Sequence, residues 1–299
     1  MFKKIIITLL LAISIIPANA NAYSDRIIAG GENIGISLNS KGVLIVGTYE
    51  VNGQNLADKA GLKTGDIIQS INGQTVENIE DMASKIYDSA SSPIKIKFLR
   101  NDKEKETTLE LYKDENDVYK TGLYVKDSVT GIGTLTFIDP ETKKFGALGH
   151  EIEEQTTRKI LEIKDGKIFE TTVTGIIPST DGSPGEKKAE YDPKNVEGNV
   201  DENTTQGIFG TYTDDIQNRK TYKVAKPKEV KTGDAKILTV LDDDNIKEYS
   251  IKINEINDLK SKNKNFIFEI TDNELKDKTG GIIQGMSGSP TVSYTHLTL

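Results

Sequence analysis

After an apolar N-terminus, only one stretch of this 299-residue chain carries apolar residues at helical spacing. Ile79, Met82, Ala83, Ile86 and Tyr87 place one stripe on a helix from about Val76 to Asp88. The other apolar runs are short, alternate with polar residues and end at turn signals, which commits the chain to strands. Around the helix, 35–38, 43–46 and 67–71 read as strands and Asn72-Gly73 as a tight turn. Ile94, Ile96 and Phe98 then alternate, Asn101-Asp102 turns, and Leu109 and Leu111 alternate back. Residues 30–112 form a small α+β module.

Beyond an acidic connector at Asp114–Asp117 the pattern is β throughout. Leu135 and Phe137 alternate, Asp139-Pro140 turns, and Phe145 and Ala147 lead back to His150. Further β-rich runs at 167–173, 236–241, 249–253 and 266–270, joined by turn-rich segments, argue a barrel or sandwich over 120–290. The stretch 178–205 is rich in glycine, proline and charge, and is expected to be a long loop over the barrel surface.

A chain of this length accommodates two domains. Its net charge of -8 offers no basic footprint, which excludes nucleic acid as a partner. Lys3 and Lys4, the apolar run Ile5–Ile16, Pro17 and two overlapping Ala-x-Ala sites have the layout of a secretory signal or anchor over 1–22. With no cysteine, stability rests on burial and hydrogen bonding, and thiol catalysis is excluded. Two histidines leave too few ligands for a zinc site, so no metal or cofactor is expected.

The run "GGIIQGMSGSP" at 280–290 reads either as a flexible surface turn or as a nucleophile loop around Ser287. Serine is a weak nucleophile and needs a neutral imidazole to take its proton; His150 is the one base available for that work, since His296 stands nine residues beyond Ser287. A carboxylate must orient the ring, and Asp272, at the end of a predicted strand, completes the order His, Asp, Ser required by a chymotrypsin-like barrel. Asp272 also reads as the N-cap of a helix starting at Asn273, and Asp139 is the fallback carboxylate. An α/β-hydrolase is excluded because position 289 is serine where Gly-x-Ser-x-Gly needs glycine. The backbone N–H groups of Gly285 and Ser287 are the expected oxyanion donors.

The string "ADKAGLKTGDIIQSINGQTVENIEDM" resembles the PDZ domains of bacterial envelope proteases. The resemblance implies a carboxylate-binding loop at Asn33, Ile34, Gly35, Ile36 and Leu38. A peptide C-terminus or internal strand would pair along Ile36–Leu38 and drop a side chain into a pocket near Met82 and Ile86.

Together with "GIGTLTFIDPETKKFGALGHEI", "GIFGTY" and "TGGIIQGMSGSP", the chain resembles the stage IV sporulation protein B family of serine peptidases from spore-forming Gram-positive bacteria. That resemblance implies a mainly β protein, a PDZ domain before a chymotrypsin-like double β-barrel, with His150, Asp272 and Ser287 as the triad. It further implies an exported protein, free or membrane-anchored, in the space between mother-cell and forespore membranes. The substrates the resemblance implies there are the protein itself and the regulator of a membrane-associated intramembrane protease complex. Residues 21–31 are the expected exposed self-cleavage linker. The residues 291–299 are expected to be unlike the family, leaving the second barrel unclosed. The rival reading is an exported PDZ adaptor with an inactive barrel.

Overall fold

A computed structural model of the chain describes residues 23–89, 92–101, 103–226, 228–257, 265–293 and 296–298. The signal-like segment 1–22 lies outside the described residues. Strand β1 (Arg26–Ala29) leads into the 16-residue β2 (Asn33–Thr48). The PDZ module follows as helix α1 (Leu56–Lys59), β3 (Ile67–Ile71), β4 (Gln74–Thr75), helix α2 (Ile79–Ser89), β5 (Ile94–Arg100) and β6 (Lys103–Leu109). A small hairpin, β7 (Tyr112–Lys113) and β8 (Tyr119–Lys120), then leads into β9 (Leu123–Ile138).

β2 runs antiparallel to β9, from Thr48 opposite Leu123 to Asn33 opposite Thr134. The register shifts between Asn39 and Leu44, where Gly42 has φ +100° and Ser40 Oγ donates to the Gly42 carbonyl at 2.6 Å. The two expected strands at 35–38 and 43–46 are thus one strand with an irregularity, and its halves serve different cores. Val43, Ile45, Ile68, Ile71, Ile94 and Ile96 pack with Met82, Ile86 and Leu123 in the PDZ core. Ile34, Ile36 and Leu38 pack in the first barrel. The PDZ core draws on β2 from Val43 onward and borrows Leu123 from the strand after the module. Its Gly-Asp turn is held by Asp66, whose buried carboxylate accepts both the Lys63 N–H at 2.8 Å and a two-pronged bond from Arg100.

The first barrel adds β10 (Lys144–Ala147), the short hairpin β11 (Glu153–Glu154) and β12 (Lys159–Ile160), β13 (Ile163–Ile177), β14 (Glu186–Thr204) and β15 (Gly207–Tyr212). Pairing runs β2, β9, β10, β15, β14, β13 and back to β2, a closed ring of six. The stretch expected to be a loop at 178–205 is mostly strand β14. Its backbone pairs along β13, and three register shifts absorb the residues that do not fit a regular ladder, so polar side chains can face solvent without leaving main-chain groups unpaired.

The second sheet runs β1, β16 (Thr221–Val224), β21 (His296–Thr298), β20 (Thr291–Val292), β17 (Gly233–Val240), β18 (Ile246–Ile256) and β19 (Phe266–Ile270), with helix α3 (Asn273–Thr279) after it. Two expectations change here. Residues 26–29 are not an exposed linker: β1 pairs with β16 and β9, and Ile27 and Ile28 are buried. Nor does the chain after Pro290 stand apart, because β20 and β21 join the sheet and Leu297 is fully buried beside Phe137, Leu238 and Val292.

Candidate functional site

Two consecutive turns build the loop around Ser287. Met286 N–H donates to the Ile283 carbonyl at 3.2 Å and Ser289 N–H to the Met286 carbonyl at 3.0 Å. The third position of each turn is glycine, Gly285 with φ +91° and Gly288 with φ +92°, the conformation a type II turn needs there and L side chains resist. Gly288 also touches backbone. A Cβ on it would lie 2.5 Å from both Leu148 N and the Thr134 carbonyl, so glycine alone lets the loop press against the strand end that carries His150.

Every carbonyl from Ile283 to Ser287 is engaged. Besides the two turn bonds, Gln284 accepts Lys187 N–H at 2.9 Å, Gly285 accepts Thr134 Oγ1 at 2.7 Å and Ser287 accepts Thr134 N–H at 3.1 Å. The amide N–H groups of Gly285 and Ser287 donate to nothing among the described residues. The Gly288 N–H is likewise unpaired among the described residues, and all three positions are half-buried, so a ligand can reach the donors; the pair at Gly285 and Ser287 on a fixed turn is what an oxyanion site requires.

His150 follows two left-handed residues, Leu148 (φ +73°) and Gly149 (φ +74°), which turn it out of β10 into an exposed position. Its Nδ1 lies 2.7 Å from the Glu151 carbonyl. A carbonyl only accepts, so this bond puts the ring proton on Nδ1 and leaves the Nε2 lone pair open, the tautomer a general base needs. Thr134 links the two parts. Its carbonyl accepts Leu148 N–H at 3.2 Å while its N–H and hydroxyl hold the serine loop.

Asp272 is placed otherwise than expected. It caps α3, accepting Leu275 N–H at 3.1 Å and Ser250 N–H at 3.3 Å. No hydrogen bond joins His150 to Asp272 or Ser287, and the contact expected of the carboxylate is made by the Glu151 carbonyl. Asp139 does not replace it. That buried side chain closes the β9–β10 turn, accepting from Ser24, Glu141 and Thr142. Burial alone would push its carboxyl up, but these bonds outweigh it and hold the group below the usual carboxylate range.

Beneath the loop lies Lys187, which sequence reasoning missed. It is 5 % exposed, its stem passes under Gly285, and its Nζ donates to Asn33 Oδ1 at 2.7 Å and Thr239 Oγ1 at 2.8 Å. With no carboxylate among these partners, burial lowers its pKa to about 7. Thr134 was missed as well. Nothing local in "GIGTLTF" signals that a residue over 150 positions from Ser287 will hold it.

The expected PDZ loop is not a groove. Asn33–Leu38 pairs with β9 from Thr134 to Val129, and Ile34–Leu38 pairs on the other edge with β13 from Glu170 to Gly166, so no strand can add there. Gly35 faces the Tyr191 ring, and Asn33 is held by Lys187. Met82 and Ile86 belong to the other core. The edge beside α2 is instead the first part of β9, where Leu123–Ser128 pairs with β2 on one side and with no strand on the other among the described residues. Ile79 N–H at the start of α2 donates to Asp127 Oδ2 at 2.8 Å, and Leu123 and Val125 pack in the same core as Met82 and Ile86. The signal that could have found it is Gly122-Leu123-Tyr124-Val125 after the connector.

Comparison with known proteins accords with this division. A family model described as SpoIVB peptidase S55 matches residues 117–298, and a PDZ domain model matches residues 33–111. The first match includes most of the segment after Pro290 that was expected to be unlike the family. No curated protein matches the chain. Among solved structures, the PDZ domain of an SdrC-like protein from Listeria monocytogenes is similar at 18% identity and a TM-score of 0.25, over 28% of this chain and 87% of that one. Because the peptidase match spans more than half of its length, the chain belongs to the SpoIVB peptidase S55 family, and is a sporulation serine peptidase with a PDZ domain.

Proposed function

We propose that the chain is a serine endopeptidase in which Ser287 attacks the scissile carbonyl, His150 Nε2 takes the serine proton, and the Gly285 and Ser287 amides bind the oxyanion. The observation that carries this reading is a loop whose carbonyls are all engaged while the amides of Gly285 and Ser287 have no partner among the described residues. Such donors are worth roughly 3 to 4 kcal/mol each in transition-state stabilisation. Asp272 is the third member by chain order and family resemblance. To reach the imidazole it would exchange its cap bonds for the ring, and catalytic contacts are often loose before substrate binds.

In this reading the substrates are polypeptides: the chain itself, cut N-terminal to β1, and the regulator of an intramembrane protease complex in the space between the two forespore membranes. A peptide terminus or extended segment adds along Leu123–Ser128 beside α2, its apolar side chain directed at Met82 and Ile86. The test is a fluorophosphonate probe, which should label the parent at Ser287 and leave Ser287→Ala and His150→Ala unlabelled while both keep the parental melting temperature. The second reading, a PDZ adaptor with an inactive barrel, is favoured by the missing hydrogen bond between His150 and Asp272. An unlabelled but folded parent would establish it.

A further inference from the structure

We propose that Thr134 is a positioning residue that sets the oxyanion turn and the histidine strand in register for acylation of Ser287. Thr134 is fully buried, and all its polar groups are spent on the site. Its hydroxyl donates to the Gly285 carbonyl at 2.7 Å, its N–H to the Ser287 carbonyl at 3.1 Å, and its own carbonyl accepts Leu148 N–H at 3.2 Å, two residues before His150. One residue of β9 thus touches the turn bearing the oxyanion donors, the nucleophile residue and the strand end bearing the base.

The hydroxyl bond differs from the other two. The two main-chain bonds survive any substitution of the side chain, whereas the Gly285 carbonyl depends on the hydroxyl alone. Gly285 has positive φ and no side chain, so the peptide between Gly285 and Met286 is fixed by two bonds, the Thr134 hydroxyl at its carbonyl and the Ile283 carbonyl at its N–H, 3.2 Å away. Losing the hydroxyl leaves that peptide on the weaker 3.2 Å turn bond alone, which loosens the turn that holds the Gly285 and Ser287 amides. The structural alternative is that the hydroxyl merely satisfies a buried carbonyl. That role predicts a stability loss without a selective effect on chemistry.

The inference rests on Ser287 being the nucleophile, and the experiment separates the two. Fluorophosphonate inactivation of the full chain is measured at several probe concentrations for the parent, Thr134→Val, Thr134→Ala and Thr134→Ser, below each melting temperature. Expected are a limiting inactivation rate lowered between about tenfold and a hundredfold in the variants lacking the hydroxyl, half-saturating probe concentration unchanged, and recovery to within about threefold in Thr134→Ser. A folded Thr134→Val or Thr134→Ala that labels at the parental rate would overturn the role. So would a Thr134→Ser as slow as Thr134→Val, or failure of both hydroxyl-free variants to fold, which would make the hydroxyl structural. No labelling in the parent would overturn the nucleophile assignment itself.

Discussion

Lys187 Nζ lies 2.7 Å from Asn33 Oδ1 and 2.8 Å from Thr239 Oγ1, which ties β14, β2 of the first barrel and β17 of the second sheet at one buried ammonium. Burial lowers its pKa to about 7 from an ordinary 10.5. A basic group depressed in the folded state binds fewer protons there than in the unfolded chain between those two values. Its favourable contribution is therefore present above the unfolded pKa and is lost as pH falls toward 7. The parent should accordingly gain stability relative to Lys187→Met between pH 7 and 10. Thermal melts across that range check this, and a difference that does not change with pH would show the ammonium to be solvated.

Glu197 titrates with the opposite sign. Burial pushes its carboxyl up to about 7; the Tyr212 hydroxyl at 3.4 Å opposes the shift, and the nearby Asp214 and Glu170 reinforce it. An acid raised in the folded state contributes stability below its unfolded pKa and loses it as pH rises through the folded value. Glu197→Gln should therefore gain on the parent in melting temperature between pH 5 and 8. Parallel melting curves over that window would place the side chain in water.

Gly288→Val should lower both stability and labelling. The added Cβ meets two backbone atoms at 2.5 Å rather than a side chain that could swing away, and it does so at φ +92°. The expected cost is about 2 to 4 kcal/mol from overpacking and the strained backbone, with labelling reduced even below the new melting point. Unchanged urea unfolding would mean that the serine turn does not pack on Leu148.

Element types were largely legible from the sequence, because α2, the β5–β6 hairpin and the β9–β10 hairpin are each set by local periodicity and turn residues. Partnership was not. Asn33–Leu38 alternates like any half-buried strand, and nothing in it reports that β13 will cover its second edge. Strand β14 escaped detection because its main-chain bonds to β13, not apolar side chains, make it a strand. Ser287 and the oxyanion amides stood out through the glycine spacing. Thr134 and Lys187 did not, since their contacts with the serine loop span more than ninety residues of chain.

The PDZ edge makes a separable prediction. A Cβ on Gly35 would fall 2.6 Å from the Tyr191 ring, which stacks on Phe169 with centroids 5.3 Å apart. Gly35→Val should therefore destabilise the barrel by about 1 to 3 kcal/mol and leave peptide capture intact. Hydrogen exchange with an excess of a peptide ending in an apolar residue should slow amides in Leu123–Ser128 and not in Asn33–Leu38. Protection confined to Asn33–Leu38 would restore the groove first expected from the sequence.

Asp272 has two roles, cap of α3 and proposed partner of His150, and substitution can separate them. Asparagine caps a helix about as well as aspartate, so Asp272→Asn should keep the bond from Leu275 N–H and the melting temperature of the parent. Alanine removes the cap and should cost about 1 kcal/mol. If the carboxylate turns to the imidazole when substrate binds, the asparagine variant loses the charge that stabilises the imidazolium, and labelling of Ser287 should fall by several orders of magnitude with stability unchanged. Stability loss in the alanine variant alone, with labelling at the parental rate in the asparagine variant, would leave Asp272 a helix cap and the Glu151 carbonyl as the group that holds the ring.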